Sequence, residues 1–308
     1  MSGPDPSLRV SRVSKAWQHT LASAARFQGL GVHSGQAVTL VVHPAPPDTG
    51  IIFERVDISD RDPRIAARAV NVSATQLGTV ISNAAGVEIS TVEHLMACFA
   101  GLEIDNALVR LDGGEAPIMD GSCAPFVAGL DRAGRQVQGR PRRYMQILDP
   151  VFVNADGKYV CLLPSPRFEM ALEIHFDSAP IGRQALDLIV DEETFREDLA
   201  DCRTFGFRHE VEALRAAGLA RGGSLDNVIV IDGDRVANPE GLRRSDEFVR
   251  HKILDALGDL YLLGGPILGR FEGHCSGHSL NNALARALLA KPAAWRWVCA
   301  QSDLAEAV

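Results

Sequence analysis

Two stretches of this 308-residue chain carry the pattern V-x-H-x6-G in a helical setting, Val92-Glu93-His94 with Gly101 and Val249-Arg250-His251 with Gly258. From His94 to His251 is 157 residues, about half the chain. Both copies lie in stretches that read as helices. Duplication of one α+β unit would put a histidine-bearing helix in each half, and that expectation constrains the architecture more than any other feature. A chance match of so few residues is the alternative. The rest of the chain keeps the same rhythm. Strands are expected near 38–42, 51–53, 107–111, 145–153, 159–163, 170–176, 228–231 and 267–271, and helices near 91–100, 124–133, 192–199, 210–217 and 279–289. The polar stretch 134–143 reads as a boundary. This divides the chain into a polar leader (1–17), two α+β domains (18–138 and 139–291) and a tail (292–308).

Bulk properties exclude several classes. A net charge of −8 argues against a nucleic-acid surface. No apolar run is long enough to span a bilayer, and the leader lacks the apolar segment of a secretory signal. The six cysteines are scattered and none forms C-x-x-C, so free thiols are expected. Arg140, Arg142 and Arg143, and Arg243 with Arg244, read as solvated basic loops, open to an anionic substrate. No P-loop, G-x-S-x-G or dinucleotide fingerprint is present.

Four clusters could carry chemistry. His251 and Asp255 are one helical turn apart and leave the same face, with Asp259 continuing the row and Ser245 as an expected N-cap. They could hold a divalent metal, or simply form a surface pair that supports the helix. Glu93 and His94 follow Ser90, and Ser90 with Glu93 matches a capping box, the plain structural role for that glutamate. With His94 added to His251 and Asp255, the set has the composition of a catalytic zinc site, where zinc acidifies a water toward ~7. His278, after Gly277, sits at an expected helix start, which disfavours imidazolium unless an acid such as Asp259 supports it. The segment 115–122 reads as a turn and cap.

These clusters, taken with Gly29-Leu30-Gly31-Val32-His33-Ser34-Gly35, Pro117-Ile118-Met119-Asp120-Gly121-Ser122, Cys202-Arg203-Thr204-Phe205-Gly206-Phe207, Gly222-Gly223-Ser224-Leu225-Asp226 and Ser276-Gly277-His278, occur in one order. In that order, from about residue 20 to 289, the chain resembles the zinc-dependent UDP-3-O-acyl-N-acetylglucosamine deacetylases of lipid A synthesis. The resemblance implies two similar α/β-sandwich domains, with helices packed between the sheets and the active site at their interface. It implies zinc (Zn2+) on His94, His251 and Asp255, and Glu93 as general base. Thr204 would help hold the oxyanion, and His278, oriented by Asp259, would stabilise charge or protonate the leaving amine. Lys252 and His33 would serve the UDP end. Phe205, Val211, Leu214 and Leu219, in a second-domain insert, would line a passage for the acyl chain. The family often has lysine where this chain has Cys275, which bears on the nucleotide end, with His274 as a substitute. The implied protein is a cytoplasmic monomer, peripheral at the inner membrane, whose partner is UDP-3-O-acyl-GlcNAc. A non-catalytic UDP-sugar or lipid binder, and a metal hydrolase of another acetylated sugar, are the competing readings.

Overall fold

The computed structural model describes residues 16–300. Most of the expected leader and the last eight residues of the tail lie outside the described residues. The architecture is α+β, as expected. In the first half a five-stranded sheet runs in the order Ala25–Leu30, Ala37–Pro44, Ala107–Leu111, Ile51–Arg55, Arg64–Ala66. Its centre, Ala107–Leu111, pairs antiparallel with Ala37–Pro44 and parallel with Ile51–Arg55. In the second half, Ile267–His274 occupies the same position. It pairs antiparallel with Lys158–Leu163 and parallel with Phe168–His175. Val151–Ala155 and Arg183–Ile189 flank those two, both antiparallel. Strand order, strand sense and chain order therefore repeat, so the duplication suggested by the sequence echo exists at the level of backbone pairing.

Each central strand lies between two helices in the chain. In the first half these are α1 (Glu93–Gly101) and α2 (Ala124–Ala133). The second half has a short α3 (Val211–Ala216), then α4 (Glu247–Tyr261) and α5 (His278–Leu289) around its central strand. The sheets bury one face each, as the alternation of Val38, Leu40 and Val42 and of Met170, Leu172 and Ile174 requires. Onto those faces pack Leu95 and Phe99 of α1 and Phe248, Leu254 and Leu257 of α4, in one continuous apolar core. Each such side chain, fully buried, contributes about 1.5–3 kcal/mol of transfer free energy. The extensive packing of α1 against α4 joins the halves.

Between its second hairpin and the helix that carries its echoed histidine, each half carries an insert. In the first it is the small sheet Val72–Ala74, Val80–Ser82, Glu88–Ile89; in the second it includes Phe205–Phe207, Ile229–Asp232 and Arg235–Val236. Several local expectations need correction. The strand expected over 145–153 is two strands, Arg143–Ile147 and Val151–Ala155, separated at Pro150, which has no N–H to give a ladder. The helix expected over 192–199 is one α-turn, Glu192–Thr194, followed by a π-turn, Phe195–Leu199. The polar stretch 134–143 contains a strand, Arg135–Pro141, paired with Trp17–Leu21. Arg142 does not sit in a solvated loop. It is 2% exposed, 2.8 Å from Asp105 and 3.3 Å from Glu103, because a buried guanidinium needs its charge and donors answered. Cys98, Cys123, Cys161, Cys202 and Cys275 are free thiols, as expected.

Candidate metal centre and catalytic cleft

The α1–α4 contact is where the two echoed histidines meet. On α4, His251, Asp255 and Gly258 occupy positions 0, 4 and 7 of one helical stripe, which faces α1. Gly258 lets the backbones touch: a Cβ there would lie 2.0 Å from the Glu93 carbonyl oxygen. His94 and His251 consequently approach edge to face, with ring centroids 4.9 Å apart. All three side chains are buried, so the reading of His251 and Asp255 as a surface pair is wrong.

Asp255 Oδ1 stands 3.5 Å from His94 Nε2 and 3.3 Å from His251 Nε2. Two donors on a tetrahedral zinc, with bonds of ~2.0–2.1 Å, stand about 3.3 Å apart. Asp255 Oδ1 is buried without a hydrogen-bond partner among the described residues. A buried carboxylate oxygen left this way is costly unless something else satisfies it, and a cation would. His251 Nδ1 lies 3.0 Å from the Cys202 carbonyl, which takes its N–H and leaves the Nε2 lone pair aimed at the cluster. Burial holds the His251 pKa down at about 4, with His94 and Lys252 adding to it, so the ring is neutral as a ligand must be. Asp255 is held well below the ordinary range against its burial, chiefly by Lys252 and His251. Among the described residues these three form the one group able to hold a metal. The donor set fits zinc.

Glu93 does not close a capping box. Thr91 takes a positive φ of 58°, unusual for a β-branched residue, and α1 starts without a side-chain cap. Glu93 Oε2 instead accepts the Thr79 N–H at 2.9 Å, which places the carboxyl beside His94. Burial raises its pKa, helped by Asp255 and Asp259 and opposed by His278 and His94. Across the cleft, His278 opens α5. Its Nδ1 is 2.9 Å from Asp259 Oδ2, and its Nε2 is 3.9 Å from both Glu93 Oε1 and Asp255 Oδ2. Burial would depress this imidazole, but Asp259, Glu93 and Asp255 outweigh it and push the pKa up to about 9. The acidic partner expected for a histidine at a helix start is therefore in place. Likewise Ser245 caps nothing; Asp246 is the N-cap residue of α4, and no side chain caps it.

Most of the remaining expected residues share one cleft of about 1180 Å³ with these groups. Thr204 lies on its wall, its backbone N–H donating to the Gly121 carbonyl at 2.9 Å, so the 118–122 turn packs onto the site. His33 lines the cleft, its Nε2 3.2 Å from the Leu77 carbonyl. Lys252 lines it too, but its ammonium donates to Asp255 Oδ2 at 2.8 Å rather than standing free. Phe205, packed edge-on to Phe248 and Phe176, forms an apolar wall with Val211 and Leu214. Leu219 is not part of that wall.

Two residues of the site were missed in the sequence. Thr79, from the first insert, gives its N–H to Glu93 and its hydroxyl to Asp259 Oδ1 at 2.5 Å, tying the two halves together. Glu115 is buried and accepts the N–H groups of His33 and Ser34 at 2.8 Å each and the Thr91 hydroxyl at 3.1 Å. Gly31 makes room for it, since a Cβ there would meet its carboxyl. A lone threonine and a glutamate in a turn carry no local signal for such roles.

Residues 18–290 match the model of the UDP-3-O-acyl N-acetylglycosamine deacetylase family. A UDP-3-O-acyl-N-acetylglucosamine deacetylase of Phenylobacterium zucineum is 61% identical over 95% of this chain and 100% of its own length. Deacetylases of the same name from Chromohalobacter salexigens (48%, covering 93% of this chain and 94% of the relative) and Chromobacterium violaceum (46%, 91% and 92%) are also similar.

Proposed function

Because the chain belongs to the UDP-3-O-acyl N-acetylglycosamine deacetylase family, we propose that this cleft hydrolyses the N-acetyl group of UDP-3-O-acyl-N-acetylglucosamine with the help of zinc. The products are acetate and UDP-3-O-acyl-glucosamine, in lipid A biosynthesis. The observation that carries the reading is the convergence of His94, His251 and Asp255 beside the Glu93 carboxylate and the Asp259–His278 pair.

His94, His251 and Asp255 would hold the metal. When bound, zinc supplies Lewis acidity that polarises an acyl oxygen and acidifies water. Glu93, fixed by the Thr79 N–H and with its pKa raised by burial, would take a proton from the attacking water. His278, kept charged by Asp259, faces Glu93 across 3.9 Å and can stabilise the developing negative charge or give a proton to the departing amine. Thr204, on the cleft wall, would help hold the oxyanion. His33 and Lys252 serve the UDP end, Lys252 while also neutralising Asp255. Phe205, Val211 and Leu214 offer the acyl chain an apolar wall. Both halves of the site come from one chain, which suits a monomer with domains at 18–138 and 139–291. Among the described residues no helix is long and apolar enough to cross a membrane. On this reading the protein works in the cytoplasm and meets its acylated substrate at the inner-membrane surface.

The test pairs acetate release with metal analysis of the same sample. Native protein should carry about one zinc, lose activity to a chelator and regain it on metal addition. Glu93→Gln should keep the metal and lose ~10²–10⁴ in kcat. Nucleotide-sugar binding by zinc-replete protein without acetate release would instead identify a binding protein, and equal turnover of a substrate lacking the 3-O-acyl chain would identify a different sugar deacetylase.

A further inference from the structure

Outside the catalytic groups, the strand Ile267–His274 ends in a second ordered chain of side chains. Glu173 Oε1 lies 3.0 Å from His274 Nδ1, and His274 Nε2 lies 3.6 Å from Cys275 Sγ. The carboxylate accepts the Nδ1 proton, which leaves Nε2 as the acceptor facing the thiol. Tyr159 stacks on the ring at 14° and a centroid distance of 5.8 Å, fixing its plane. The Cys275 N–H donates to the Glu173 carbonyl at 2.8 Å, so the backbone fixes the thiol as well. Cys275 also adopts a φ of 50°, a left-handed conformation that a non-glycine residue takes at some cost. A nucleophile, a base and a group that orients the base are thus in line. The thiol lines the catalytic cleft with Ser276, Gly277 and Lys158. Cys98, Cys123, Cys161 and Cys202 are buried, so Cys275 is placed unlike them.

We propose that Glu173, His274 and Cys275 form a thiol-modification site whose reagent is a small disulfide, and that the adduct obstructs the catalytic cleft. The chemistry balances without an outside oxidant. Cys275 passes its proton to His274 Nε2, and its sulfur attacks one sulfur of the disulfide. A new S–S bond forms, the old one breaks, and the departing thiolate takes the proton from the imidazolium. A thiol reductant reverses the exchange. The site itself is independent of the proposed deacetylation; only the blocking effect rests on that reading.

The test uses metal-replete full-length protein and 5,5′-dithiobis(2-nitrobenzoate), following release of the coloured thiolate and locating the adduct by peptide mass. The fast phase should map to Cys275, vanish in Cys275→Ser, and slow by about a hundredfold in His274→Gln and by a smaller factor in Glu173→Gln. Each protein's acetate release, relative to its own untreated sample, should fall in step with the fast phase and return with dithiothreitol. For Cys275→Ser that fraction should stay constant. A fast phase that maps to Cys299 or to a buried cysteine, or a Cys275 rate unchanged by His274→Gln, overturns the site. Full labelling of Cys275 with acetate release intact leaves the thiol chemistry standing and overturns the blocking role.

Discussion

Gly258→Ala tests whether the α1–α4 contact builds the metal centre. The added Cβ would lie 2.0 Å from the Glu93 carbonyl oxygen, 2.8 Å from its carbonyl carbon and 3.0 Å from Ala97 N. All of these are backbone atoms, so no side chain can swing away. Ordinary contact begins at 3.4 Å, and moving from 2.0 to 3.4 Å requires the helices to part by about 1.4 Å. Overpacking of this kind costs ~1–3 kcal/mol, and the better helix propensity of alanine returns ~0.5–1 kcal/mol. The net loss, about 0–2.5 kcal/mol, should lower Tm by no more than a few degrees in a protein of this size. Function should suffer more than stability. His94 rides on α1 and its partners on α4, so the 3.5 Å spacing of His94 Nε2 and Asp255 Oδ1 is opened directly, and the Glu93 backbone moves with it. A displacement of ~1 Å at reacting groups costs roughly a hundredfold in rate. Zinc content, Tm and kcat/KM of the purified variant decide the matter. Full zinc content with native kcat/KM would refute the claim that this close approach sets the geometry of the site.

Two further outcomes follow from the geometry. Thr79→Val keeps the backbone N–H to Glu93 but loses the hydroxyl to Asp259; kcat should fall ~10-fold or more with KM little changed, Thr79→Ser should recover most of it, and an equal loss in both variants would show that only packing matters. Asp120 is held below the ordinary carboxylate range against its burial by Ser122 and Arg243, so its contribution is present above the unfolded pKa and is lost as pH falls through the folded one. Asp120→Asn should therefore lower stability by ~1 kcal/mol at pH 7 in chemical denaturation, with the difference from native shrinking below about pH 4; a difference that stays constant down to about pH 2 would exclude the ionic cause.

How much could be read from the sequence depended on whether a role leaves a periodic trace. His251, Asp255 and Asp259 did, because one helix carries them at one-turn spacing. His94 did only through the echo and the resemblance, and Glu93 only through the resemblance, since the local pattern pointed to a capping box that the Thr91 backbone does not form. Thr79 left no trace, and Glu115 only its place in a segment read as a turn and cap: each acts through hydrogen bonds to residues distant in the chain, which no local pattern reveals. Arg142 was misread for a related reason. Its neighbours in sequence are polar, but its charge partners, Glu103 and Asp105, come from the turn after α1.

The echo was more informative than its few matched residues suggested, and the structure explains why. Shifting α1 by 157 positions places His94 on His251 and Gly101 on Gly258, but Glu93 on Arg250 and Cys98 on Asp255. What the two helices share is what a paired frame requires: an inward histidine, with a glycine two turns later where something presses close. At Gly258 that is the backbone of α1; at Gly101 it is the Phe195 ring, 2.1 Å from where a Cβ would stand. What they do not share is the chemistry. Glu93 faces the cleft, whereas its counterpart Arg250 turns to Asp246 and Asp198. Asp255 joins the histidines, whereas its counterpart Cys98 is buried in the core. Duplication thus accounts for two imidazoles arriving at one point, and divergence at two positions supplies the third ligand from one half and the base from the other. A site assembled in this way needs both halves, because neither helix carries a complete set.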